Sequence, residues 1–149
     1  MVTMSNTKKQ NKNREVIAVQ RMKAVFFTLW VGCVLATIGL AVMPGGVPAH
    51  NGADKMLHLM VFCILMLWPA TTFDTVKNVI ISAGVLLVVG VCMEYLQNYI
   101  PGRTSELMDI VYNIGGIACG TVIGFLFRDA YQSLLPLAYV HAFIKPKSG

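Results

Sequence analysis

The sequence predicts an all-α membrane protein, a bundle of four transmembrane helices with both termini cytoplasmic. Three observations carry that expectation. Hydrophobic residues make up 56% of the 149 positions and charged residues only 13%, with a mean hydropathy of +0.64, far from the balance of a water-soluble domain. The apolar residues gather into four runs, each of which, with its flanks, approaches the roughly 20 residues that an α-helix needs to cross about 30 Å of hydrocarbon. The basic residues are shared unequally among the segments that join those runs, and Lys and Arg near membrane helices stay on the cytoplasmic side.

The first run is AVFFTLWVGCVLATIGLAVM, Ala24 to Met43. A cleavable secretory signal has an apolar core of only about 7 to 15 residues and a small-residue cleavage site, so this longer run is expected to be a retained span. Residues 1–23 before it form a basic cytoplasmic tail, expected to be disordered and drawn to anionic inner-leaflet lipid. MPGG and VPAHNG mark the turn into the second run, Met56 to Phe73. FDTVKN precedes the third, Val79 to Met93, and Pro101-Gly102 separates it from the fourth, Ile110 to Phe127. The four-helix domain therefore covers 24–128, and 129–149 is a cytoplasmic or interfacial tail, whose LLPLAYVHAFI is too short to span.

With the N-terminus inside, the inner segments hold Lys8, Lys9, Lys12, Arg14, Arg21, Lys23, Lys77, Arg128, Lys145 and Lys147, against Lys55 and Arg103 outside. The net charge of +5 follows from this bias, and nucleic acid is not an expected partner. Cys33, Cys63, Cys92 and Cys119 fall one per run without zinc-like spacing, and are expected as small buried hydrophobes. No metal and no cofactor is expected. Gly116, Gly120 and Gly124 repeat every four residues, a smooth stripe that lets another backbone approach closely.

Against this apolar background stands EYLQNYIPGRTSELMDIVYN, residues 94–113. At 1.5 Å per residue, the 17 residues from Lys77 to Glu94 cover about 25 Å, and the 19 from Asp109 to Arg128 roughly 28 Å. Glu94, Gln97, Asp109 and Asn113 thus reach the same outer layer as Asp54, Lys55 and His58. Asp54 with His58 and Asp109 with Asn113 are four apart, Glu94 and Gln97 three apart, so each pair shares a helix face. Polar groups at membrane depth are costly unless they face protein or a wet cavity, which turns His58, Glu94 and Asn113 inward. Simpler readings compete for the others: Asp54 and Asp109 as helix N-caps, Lys55 as an interfacial anchor, Arg103 as a snorkelling or headgroup-binding cation, and Glu106 as a solvated loop charge. Glu94, near a helix C-terminus, meets an unfavourable dipole and gains no cap.

Asp54-Lys55, His58, Phe62, Glu94, Gln97, Pro101-Gly102-Arg103, Asp109, Asn113, Gly116 and Gly120 together resemble the VanZ-like family of small bacterial membrane proteins, over about residues 54–124. The resemblance implies a multi-pass protein of the bacterial cytoplasmic membrane and, for the family's namesake, a contribution to resistance against the glycopeptide teicoplanin. It supplies no reaction.

Two functions compete on the chemistry of these residues. In one, the site recognises an anionic envelope lipid, a lipid-linked cell-wall precursor or an envelope protein, with Arg103, Asp109, Asn113 and Gln97 as binding residues. In the other, a membrane hydrolase or transferase works by acid–base chemistry, with His58 or Glu94 as base and Asp54 orienting His58. No serine or cysteine stands as an obvious nucleophile, which favours recognition. A proton-coupled transporter fits less well, because Glu94 lies too shallow. The sequence leaves the oligomeric state open.

Overall fold

The computed structural model describes residues 2–44, 53–101 and 106–143. Among them the chain is helical throughout its regular structure: α1 Val2–Ala41, α2 Ala53–Thr72, α3 Val76–Gln97 and α4 Leu107–Phe143. Each contains a stretch long and apolar enough to cross a membrane: Val16–Ala41, Ala53–Thr72, Val76–Gln97 and Leu107–Ala130. The distribution of burial matches a hydrocarbon solvent. Leu35, Leu40, Ile64, Ile80, Val88 and Leu126 lie on the outside, whereas Ser82, Glu94, Gln97, Asp109 and Asn113 lie within. Backbone and side-chain polar groups without water must be satisfied internally.

Two boundaries differ from those the sequence suggests. The helix of the first run extends outward to Val2, so residues 2–23 continue α1 instead of forming a disordered tail. No Gly or Pro occurs before Gly32, and adding residues to an existing helix is far easier than starting one. Likewise α4 continues past 128 to Phe143. The cysteines also depart from expectation: all four are free, but Cys33, Cys92 and Cys119 are exposed and only Cys63 is partly covered. A small sulfur side chain is apolar enough to face lipid as readily as protein.

The closest pairing is α2 with α4, and the glycine stripe causes it. A Cβ on Gly116 would collide with the Leu59 carbonyl and stand 3.0 Å from Cys63 N. One on Gly120 would collide with the Cys63 carbonyl, and one on Gly124 with the Ala70 methyl. Phe62, Leu65, Met66 and Ala70 of α2 join Leu86 and Met93 of α3 and Ile117 of α4 in the core.

Helix α1 is tied in through a proline. Pro69 lies inside α2 and has no N–H for the carbonyl four residues back, which is that of Leu65. Trp30 Nε1 donates to that carbonyl at 2.6 Å. Neighbouring helices commonly re-satisfy backbone groups freed in this way. At the Asp74 end of the bundle, the Thr75 side chain caps α3 by accepting from Asn78 N. Arg128 Nη2 donates to the Phe73 carbonyl, and Lys23 Nζ pairs with Asp74 at 2.9 Å.

Candidate functional site

The opposite end of the bundle gathers the C-terminal ends of α1 and α3 and the N-terminal ends of α2 and α4. Glu94 and Asp109 are each 4% exposed and Asn113 is 1% exposed. His58 Nδ1 lies 3.0 Å from Asn113 Oδ1 and 3.9 Å from Glu94 Oε1. One donor atom each from His58, Glu94 and Asp109 fall within 4.8 Å of one another. Six sequence-predicted residues thus sit at one end, and His58, Glu94, Asp109 and Asn113 form its buried centre.

Local structure explains this convergence. His58 faces inward because α2 presents Leu59 and Phe62 to α4 one turn away, against Gly116. Asn113 lies three residues before Gly116 and so shares its face. Helix α3 reaches the same point because Gly90 is small: a Cβ there would stand 3.0 Å from Asn113 Nδ2 and 3.2 Å from the Phe62 ring. Gly90 escapes sequence reasoning, since a single glycine in an apolar run carries no signal of what approaches it. Gln97 Nε2 donates to the Ala41 carbonyl at 3.4 Å, which brings the end of α1 to the site.

Several assignments change. Asp54 does not orient His58; among the described residues the partners of His58 are Asn113 and Glu94. Asp54 stands 3.8 Å from Lys55 Nζ. Asp54 and Asp109 both fall within the first turn of their helices, not at the cap position, where a carboxylate still meets the favourable dipole. Lys55 is more than a bare anchor: its 2.8 Å ion pair with Glu106 links α2 to the start of α4, while Glu106 stays exposed as expected. Arg103, expected to bind an anion, lies outside the described residues. The three neighbouring donors of His58, Glu94 and Asp109 come one from each of three helices, so no local spacing in the sequence could announce their proximity.

Burial leaves some polar atoms without hydrogen bonds. Asp109 Oδ1 and Asn113 Nδ2 are enclosed and have no hydrogen-bond partner, a costly condition in a site of low dielectric. A proton on His58 Nδ1 donated to Asn113 Oδ1 leaves the lone pair on Nε2; a proton on Nε2 leaves Nδ1 to face Glu94.

A family model described as VanZ/LLP1 matches residues 2–128, which takes in α1 as well as the segment that carries the polar pattern. No curated protein and no solved structure matches the chain.

Proposed function

The chain belongs to the VanZ/LLP1 family, and from that membership and the site's geometry we propose that it binds the headgroup of an anionic envelope lipid or lipid-linked cell-wall precursor at the outer face of the cytoplasmic membrane. The observation that carries the reading is the burial of Glu94, Asp109 and Asn113 where four helix ends meet. Intramembrane ionisable groups are expensive and rarely present without function. The outward orientation rests on the excess of Lys and Arg in the segments joined to the other end. Glycopeptide susceptibility of the teicoplanin type would then change because the precursor, or the lipid around it, is held or altered.

A second reading, turnover of that headgroup by acid–base chemistry, is favoured by one distance. Glu94 Oε1 at 3.9 Å from His58 Nδ1 can stabilise the imidazolium formed when His58 takes a proton from an attacking water or hydroxyl.

Purified protein in detergent, extracted for lipids and analysed by mass spectrometry, should retain an anionic headgroup class that is lost in Glu94→Gln and His58→Ala. Retention of the same lipids by both variants at full occupancy would refute the headgroup site. Release of a free headgroup by the wild-type protein alone would establish turnover.

A further inference from the structure

Two buried carboxylates make a poor site for an anion. At the headgroup end the described cation is Lys55, and Glu106 already engages it at 2.8 Å. In a dry centre such as that of His58, Glu94 and Asp109, two ionised carboxylates would be strongly disfavoured without a cation between them.

We infer that His58, Glu94 and Asp109 hold a divalent metal ion of the Mn²⁺ or Zn²⁺ class. The three donors lie within 4.8 Å of one another. Three ligands about 2.0 to 2.2 Å from one ion stand about 3.3 to 3.8 Å apart in tetrahedral or trigonal geometry, so the widest pair must close by about 1 Å to complete the set. The second, independent observation is Asp109: it is 4% exposed, and its Oδ1 has no hydrogen-bond partner. An ion gives that oxygen the partner it lacks and would offset the charge of the carboxylates that bind it. One imidazole with two carboxylates selects Mn²⁺ or Zn²⁺ over Ca²⁺, which takes oxygen ligands almost exclusively. Asn113, 3.0 Å from His58 Nδ1, is a positioning residue that fixes the ring from the second shell.

Three protein ligands leave coordination positions open, and what they take rests on the proposed headgroup site: a phosphate or carboxylate oxygen that the carboxylates alone would repel.

The test uses the full chain in detergent, with any affinity tag removed, stripped by EDTA and titrated with MnCl₂ or ZnCl₂ by calorimetry, with Mn²⁺ also followed by electron paramagnetic resonance. One saturable ion per chain is expected. Loss of an outer-shell partner alone weakens metal sites by about 10- to 100-fold, so Asn113→Ala should lose about tenfold and Glu94→Gln, Asp109→Asn and His58→Ala at least about 100-fold. Asp74→Asn, at the other end of the bundle, should bind as wild type. The two isosteric carboxamide variants keep the shape of the site, and their melting in EDTA verifies folding. Absence of saturable binding of either ion up to about 1 mM by the folded wild type would overturn the inference, as would undiminished binding in folded Glu94→Gln and Asp109→Asn. Titration contains no added lipid, so metal binding and headgroup retention fail separately.

Discussion

His58 Nδ1 and Asn113 Oδ1 stand 3.0 Å apart across 55 residues of sequence, joining the second turns of α2 and α4 at the centre of the buried polar cluster. Interhelical hydrogen bonds in membranes average about 0.6 kcal/mol and reach about 1.7. A double-mutant cycle of His58→Ala and Asn113→Ala, read by unfolding equilibria in mixed micelles, should give a coupling of about 1 kcal/mol. Strict additivity would mean that the contact contributes no stability.

Gly120→Leu should lower the melting temperature in detergent by several degrees, because its Cβ would meet the Cys63 backbone and the Met66 side chain; overpacking of this kind costs about 1 to 3 kcal/mol. Gly84→Leu on α3, where nothing lies within 4 Å, should cost little. Equal tolerance at the two positions would show that α2 and α4 do not pack through the glycine stripe.

Trp30→Phe should destabilise the bundle by about 1 kcal/mol, since the Leu65 carbonyl then loses its donor. Pro69→Ala restores a backbone N–H to the same carbonyl, so in the Pro69→Ala background Trp30→Phe should cost measurably less. A cost unchanged by Pro69→Ala would separate the indole from the proline.

Reporter fusions after residues 50 and 104 should read outside and those after 75 and 140 inside. An inside signal from 104 would move the polar end to the cytoplasmic face and remove headgroups of the outer leaflet as ligands.

In cells, Glu94→Gln, His58→Ala and Asp109→Asn should each abolish any change in teicoplanin susceptibility that expression of the wild type confers, at normal membrane levels of protein. Arg103→Lys tests its planar fork: a lost phenotype indicates bidentate anion binding. Glu106→Gln should retain function and lose only the strap to Lys55.

Element type was legible because the hydrocarbon requirement writes itself as four apolar runs, and the site's membership because polar residues at membrane depth have few permitted directions. Partners were not legible. Asp54 is the acid one turn from His58, yet Asn113 of α4 takes the ring, because the glycine stripe brings α4 closer to that face than the helix's own neighbour can reach. The extent of α1 was hidden for a different reason: polar residues 2–23 lack an apolar stripe of their own, and their helicity is borrowed from the run that follows.

The Leu65 carbonyl, opened by Pro69 and taken by Trp30, constrains how the chain is made. Helix α1 leaves the ribosome first, so its indole is already at hand when α2 enters the translocon, and the two can partition into lipid as a hairpin without exposing the carbonyl to acyl chains. A chain whose synthesis starts at Val42 would present that group to the bilayer alone. Crosslinking of stalled nascent chains should then find its α2 held longer beside the translocon than α2 of the full chain, and equal release times would remove any role for the proline in biogenesis.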